Sequence, residues 1–444
     1  MKTMSDGKIT VGIDIGTSKI VTLVAKIDEE NMVHVMGVSE VKSNGIKKGQ
    51  IVDIEDAVVS INNSLEAAER MAGYSVAHVV VAIGGSHIES LNSKGVVAVA
   101  APEGEIGEND TARVIDAARA ISMPSSREIL HVLPRNYTVD GQEGIKDPVG
   151  MTGVRLEIDT HIISANMTSI RNLQKALSEV GVDVDGMIFS GYASSLAVLS
   201  ETEKELGVVL VDIGAGTTDI SIYVDGSVAY SSVLPIGAKH ITNDLAIGLR
   251  ISLESAEKIK LFLSRPQRKT LLPYESEPEE VSVSRQEKTK ERKPNDEIDL
   301  APLGLPEEIR KVSHKTLVEG IIRPRLNEIF TIVGLEIKKS GWGGQTPAGL
   351  VITGGGAKTV GITDSAKRVL AMPVRVGMPH DLKGLVDEVQ DPAFSTAVGL
   401  VMHGSKLGIT KNAMPFGFSM PKMKGVQGGK IGKKILNLIK SFIP

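Results

Sequence analysis

Apolar and polar positions along this chain fall into short runs with the periods of strands and helices. Two runs are near copies of each other. Residues 11–24 read VGIDIGTSKIVTLV, and residues 209–224 read VLVDIGAGTTDISIYV. In each, a β-branched strand ends at Asp-Ile-Gly, small residues turn the chain, and a second β-branched strand returns, which predicts a hairpin. A third apolar strand, within LVITGGGAK at 350–358, feeds Gly354, Gly355, Gly356 and Ala357 and leads into an amphipathic stretch that predicts a helix near 361–370. Residues 252–263 also predict a helix, with Glu257 and Lys260 three apart on one face. Between 266 and 306 the periodicity disappears. There PYESEPEEVSVSRQEKTKERKPNDEID mixes charge with proline and predicts a mobile, solvated loop.

The period returns in the last residues, GKIGKKILNLIKSFIP at 429–444. On a helix of 3.6 residues per turn, Ile431, Ile435, Leu438, Ile439 and Phe442 share a face, widened by Leu436 and Ile443. Lys433, Lys434, Asn437, Lys440 and Ser441 take the opposite side, which holds no acid. A cationic amphipathic helix of this kind lies in a membrane interface and favours anionic lipid. Docking on the protein's own core is the alternative. The preceding Gly-, Met-, Lys- and Pro-rich segment reads as a flexible tether, which leaves the apolar stripe to find its cover elsewhere.

The repeated hairpins carry candidate chemistry. Glycine at Gly16, Gly214 and Gly216 lets backbone N–H groups approach a ligand, and successive N–H groups in a turn form an anion-binding concavity. Thr17, Ser18, Thr217 and Thr218 add hydroxyls, and Lys19 and Asp219 follow the turns. Asp14 and Asp212 stand at strand ends, where a carboxylate can hold a hydrated divalent cation such as magnesium. A carboxylate beside phosphates calls for such a cation, because the like charges otherwise repel. A tight hairpin with ordinary turn hydroxyls is the plain reading of one such segment; two copies with a third Gly-rich loop favour a phosphate cradle. No G-x-x-x-x-G-K-[ST] loop is present, and no G-x-G-x-x-G opens a βαβ unit.

Composition narrows the classes. The 444 residues are too many for one core, so at least two domains are expected. A net charge of −4 and 3% aromatic residues argue against nucleic-acid binding. The absence of cysteine excludes disulfides and thiolate metal sites. The nine histidines show no ligand spacing for zinc. The N-terminal MKTMSDGKIT has no secretory h-region, and no apolar run is long enough to span a bilayer.

The three Gly-rich elements together resemble the actin-like ATPase superfamily, which includes sugar kinases and Hsp70 chaperones. Within it, residues 128–165 (EILHVLPRNYTVDGQEGIKDPVGMTGVRLEIDTHIISA), 234–260 and 349–362 are similar to the FtsA family of bacterial cell-division proteins. The resemblance runs in order along almost the whole chain. It implies an α/β, RNase H-like duplicated ATPase fold with an inserted 1C subdomain and the C-terminal amphipathic helix. It further implies ATP and magnesium at the paired hairpins, with adenosine at Gly354, Gly355, Gly356 and Ala357 and, by analogy with chaperones, at Glu257 and Lys260. An exposed ion pair gives the same spacing for the last two.

The implied boundaries place subdomain 1A at 1–84, 163–203 and 390–410, and subdomain 1C at 85–162. Subdomain 2A takes 204–238 and 330–389, subdomain 2B takes 239–329, a linker takes 411–429 and the membrane-targeting helix takes 430–444. The implied partners are the C-terminal tail of FtsZ, further copies of the chain in actin-like filaments, an anionic membrane surface and later division proteins. The implied location is the cytoplasmic face of the membrane at the division site. A PilM-type pilus adaptor, or a chaperone- or sugar-kinase-type enzyme, is the alternative on the same fold. Chaperone-like ATPases carry an acid in the segment linking the halves; here Phe189, Ser190 and Gly191 stand there. The expectation is therefore ATP binding with at most slow turnover.

Overall fold

The structure, a computed structural model, describes residues 8–28, 32–100, 104–265, 296–307 and 309–407. The linker at 411–429, the helix at 430–444 with its membrane-facing residues, and loop residues 266–295 lie outside the described residues.

Two sheets repeat one strand order. The first sheet runs Val33–Lys42, Lys19–Ile27, Lys8–Ile15, His78–Ile83 and Asp183–Phe189. The second runs Ser227–Leu234, Thr218–Val224, Val208–Ile213, Leu350–Thr353 and Val374–Val376. In both, the first three strands in chain order form an antiparallel meander and the last two add in parallel. Parallel addition needs crossovers, and helices supply them. Helix Ile54–Ala72 is one. Asp53 caps it by accepting the Asp56 amide, Gly73 ends it in the left-handed region, and Ala57, Ile61, Leu65 and Ala68 line its buried face. The strands are covered on both sides, so they read as near-continuous apolar runs rather than alternating ones.

Helix Ser190–Val198 and helix Ser395–Leu407 lie between the two sheets. Their Ala197, Val198, Ala397, Val398 and Val401 join Val21 and Leu23 of the first sheet with Val208 and Leu210 of the second in one buried cluster. Where the helices cross, a Cβ on Gly399 would stand 1.8 Å from the Ala193 carbonyl oxygen. Only glycine permits that approach.

An insertion interrupts the first half between strand His78–Ile83 and helix Met167–Val180. It is an antiparallel sheet in the order Glu89–Ala98, Arg155–Asn166, Arg127–Val139 and Gln142–Ile145, backed by helix Glu108–Arg119 with a small core of its own. Its side chains reach the edge of the second sheet. Ser90 Oγ donates to the Ser231 carbonyl at 2.7 Å, Asn92 Nδ2 donates to the Ala229 carbonyl at 3.2 Å, and buried His161 bridges Asn92 and Ser231. Burial, and then the nearby Arg135, push the His161 pKa down to about 3, so the bridge is a neutral one.

Two segments depart from the sequence reading. Residues 296–306, read as part of the solvated loop, carry strand Glu297–Asp299 paired with Lys311–Ser313 and a turn at Ala301–Leu303. The cause is Leu300, which is fully buried in the second core. Residues 382–384, assigned to the second half, pair instead with the first sheet in the register Leu382↔Val33. No helix among the described residues is long and apolar enough to cross a membrane.

Candidate functional site

The two hairpins fold to one plan. In the first, Asp14 pairs with Val21 and Ile15 with Ile20, and the Gly16 amide donates to the Lys19 carbonyl at 3.0 Å. In the second, Asp212 pairs with Asp219 and Ile213 with Thr218, and the Gly214 amide donates to the Thr217 carbonyl at 2.9 Å. The hairpins meet tip to tip. A Cβ on Gly216 would stand 2.8 Å from Thr17 Oγ1, the hydroxyl oxygen that also accepts the Gly49 amide at 3.0 Å.

Around this meeting point lies a cavity of about 100 Å³. Asp14, Gly16, Thr17, Ser18 and Lys19 enter its wall from the first hairpin, and Asp212, Gly214, Gly216, Thr217 and Asp219 enter from the second. The third loop contributes Gly354 and Gly355. Gly354 has φ +81°, and a Cβ there would fall 2.1 Å from Asp212 Oδ1, so the loop closes onto that carboxylate only with glycine. Gly356 and Ala357 are buried and back the loop, Gly356 against Ile213. Thr218 is also buried and donates to the Ile236 carbonyl at 2.8 Å, which fastens the hairpin to the segment just after strand Ser227–Leu234 instead of lining the cavity.

Glu257 and Lys260 share a helical face, but they turn to each other. The buried Lys260 ammonium donates to Glu257 Oε2 at 2.8 Å and to Thr242 Oγ1 at 3.0 Å, and Thr242 donates to Glu257 at 2.5 Å. Neither residue stands in the cavity wall. Gly49, Gly84 and Ala393 do, with no earlier expectation for them, and so does Ser190, which the sequence marked only as standing in the segment that links the halves. The run HVVVAIGG at 78–85 is a strand ending in two glycines, much as 350–355 is, and could have drawn attention to Gly84. Ser190 and Gly49 carry no local motif.

Charge is the notable property of the cavity. Asp212 and Asp219 are cross-strand partners, and like charges directly opposite in a ladder repel. Burial, with the charge of Asp212 added, raises the Asp14 pKa to about 7, although Lys19 pulls the other way. Burial raises Asp212 to about 6 against the hydrogen bonds that lower it, among them Thr396 Oγ1 at 3.2 Å. Asp219 is pushed well above the usual carboxylate range by burial and by both other acids, and among the described residues its Oδ1 has no hydrogen-bond partner. Such a set fits a divalent cation, which would relieve the repulsion and supply the missing partner. Among the described residues no three acids or histidines are grouped to chelate an ion directly, so the fit is to a hydrated one. Among the described residues Lys19 is the one cation in the wall. It donates to Glu40 Oε2 at 2.7 Å and stands 4.3 Å over the Phe394 ring, and both contacts fix its reach.

A family model described as cell division protein FtsA matches residues 209–399, and one described as the SHS2 domain inserted in FtsA matches residues 85–164. A cell division protein FtsA from Pseudomonas aeruginosa is 39% identical over 404 residues, which is 91% of each chain. The chain belongs to the FtsA family. Other FtsA proteins agree: the one from Borreliella burgdorferi is 40% identical over 395 residues, covering 89% of this chain and 90% of that one. The FtsA of Escherichia coli K12 is 34% identical over 409 residues, covering 90% and 91%. A solved PilM–PilN type IV pilus biogenesis complex matches with a TM-score of 0.60 at 16% identity, covering 89% of this chain and 98% of that one. At that identity the likeness shows the fold alone, an actin-like duplicated α/β fold. The sequence itself sides with FtsA, as a cell-division protein.

Proposed function

We propose that this FtsA-family chain binds ATP with hydrated magnesium between the two hairpins and acts as a polymerising adaptor. In this reading it ties the C-terminal tail of FtsZ to the cytoplasmic face of the membrane through the helix at 430–444, and it recruits later division proteins. The observation that carries the nucleotide part is the opposed pair of hairpins with three acids at one cavity.

Each group has a role in that reading. Bound magnesium supplies positive charge between the carboxylates and the phosphates. Asp14 and Asp212 hold its water shell from opposite halves. Thr17, Ser18, Thr217 and the turn amides position phosphate oxygens, and Lys19 meets their charge. Gly354 and Gly355 bring the third loop up to Asp212, beside the adenosine. Glu257 and Lys260 reach the ligand only if their mutual contact opens. Ser190 occupies the linking segment where related ATPases carry an acid, and it supplies no base. Asp219 stands at the same corner, since a Cβ placed on Gly84 would lie 2.9 Å from Ser190 Oγ and 3.9 Å from Asp219 Oδ2. We assign it the orientation of water, and turnover well below the enzyme median of about 10 per second follows. ATP then acts by favouring one closure of the cleft over another, and a polymer multiplies weak membrane contacts.

The test is co-sedimentation of FtsZ with anionic liposomes in the presence of Mg-ATP. It compares the full chain, a chain ending at Gly429 and Ile435→Glu. Pelleting of FtsZ by the full chain alone supports the adaptor. Retention of the Ile435→Glu variant on liposomes would show that the tail serves another surface. Pelleting of the chain without FtsZ would assign it another partner.

A further inference from the structure

A larger cavity, of about 610 Å³, lies behind the first hairpin. The small hairpin of Ile46–Lys47 and Gln50–Ile51 forms one side, and the first turn of helix Met167–Val180 forms the other. Ile15, Gly49 and Gly84 stand in the walls of both cavities, so one layer of residues separates this space from the hairpin tips. Its volume falls within the range of small-molecule sites, roughly 300–1,000 Å³.

The lining is specific in its chemistry. Ile46, Ile51, Ile83 and Leu173 give an apolar surface, and Ser86, Asn166, Thr168, Ser169 and Asn172 give amides and hydroxyls. Among the described residues no Asp, Glu, Lys or Arg side chain lines it, in contrast to the acid-rich cavity next door. His87 completes the wall. Both of its ring nitrogens are shielded from solvent and, among the described residues, have no hydrogen-bond partner. Burial, and then the charge of Arg127, hold its pKa near 4, so the ring adds no charge to the wall. An ion on such a wall would meet no countercharge to offset the hydration it gives up. A neutral ring would bury its faces on the isoleucines and satisfy the side-chain amides and hydroxyls at its edge.

We propose that this cavity is a second binding site, for a small neutral ring compound with adjacent hydrogen-bond donor and acceptor, such as an aromatic primary amide or lactam. The site is separate from the one between the hairpins. The shared wall couples the two through Gly49, whose amide bonds Thr17 Oγ1.

The experiment uses the full chain saturated with Mg-ATP and three isosteres of one shape, benzamide, benzoate and benzamidine. Saturation-transfer NMR titrations read binding, and thermal melting confirms folding. Benzamide is expected to bind while ATP stays bound, with the two charged isosteres weaker by about tenfold or more. Ser169→Phe fills the cavity and should abolish the benzamide signal; Asn172→Phe fills it from the next helical turn and serves if the first variant does not fold. Benzamide that fails to bind, that binds no better than its charged isosteres, or that survives a folded cavity-filling variant would overturn the proposal. So would displacement of benzamide by ATP, which would put it in the hairpin site. ATP retention is read independently by a fluorescent analogue, so a chain that never held nucleotide is recognised as such.

Discussion

The first and second hairpins have the same ladder, the same turn hydrogen bond and an acid at the same strand end. They part at the residue facing that acid. Opposite Asp14 stands Val21, fully buried among the apolar side chains between the sheets. Opposite Asp212 stands Asp219, also buried but with an oxygen left unpartnered among the described residues. The first half therefore adds one carboxylate to the cavity, and the second adds two. Duplication supplied a symmetric frame, and one cross-strand position made it asymmetric. The lysine differs in the same way: Lys19 of the first turn corresponds to Thr217 of the second. One half brings the cation and the other brings the surplus of negative charge.

Exchange of that cross-strand position tests the comparison most severely. Val21→Asp places a carboxylate in the dry layer between the sheets, and we expect a loss of about 3–5 kcal/mol in stability by denaturant titration. A stable, ATP-binding Val21→Asp protein would show that the two halves are more alike in environment than their burial indicates. The reverse exchange should move two properties in opposite directions. Asp219→Val relieves repulsion, so the melting temperature without ligand rises, while affinity for Mg-ATP falls by about a hundredfold or roughly 2.7 kcal/mol. Unchanged affinity would remove Asp219 from the site. Asp212→Ala should weaken Mg-ATP as well, because the acid at the strand end itself is lost.

Acidity gives a smaller effect with a definite sign. Asp14, Asp212 and Asp219 have folded pKa values above their unfolded ones, at about 7, at about 6 and well above 3.8. The stability they lend is complete below the unfolded pKa and is lost as pH rises through the folded values. The ligand-free chain should therefore melt at a lower temperature at about pH 8 than at about pH 5, and Asp219→Asn should flatten that slope. Lys19 is the opposing charge in the set, and Mg-ATP should reduce the slope too. The smallest change is Glu40→Gln. It frees Lys19 from a partly exposed pair, so we expect at most about 1 kcal/mol by denaturant titration, with little change in ATP affinity.

Local pattern carried much of this molecule. Both hairpins, the strand before Gly354 and the helices at 253–263 and 362–370 stand where their periods and turn residues put them. What stayed hidden is what tertiary contact decides. Gly49 and Ser190 enter the cavity wall from a two-residue strand pair and from the start of a helix, and neither has a periodic signature. The third strands, Val33–Lys42 and Ser227–Leu234, share no motif, so the repeated strand order shows only in the pairing. Residues 297–305 looked like loop because charge and proline dominate upstream, yet a few apolar side chains around Leu300 are enough to hold them. Lys260 looked free to reach a ligand because spacing cannot show that Thr242 and Glu257 already occupy it.

The crossing of helices Ser190–Val198 and Ser395–Leu407 has a mechanical consequence. The first packs toward strands Val208–Ile213 and Thr218–Val224, and the second runs beneath strand Lys8–Ile15, where Leu400 touches Gly12. With no side chain between Gly399 and the Ala193 carbonyl the two backbones meet directly, and any larger residue at 399 would push the helices apart. The point works as a spacer: the closeness of this crossing sets how far apart the two sheets stand, and with it the width of the gap between the hairpin tips.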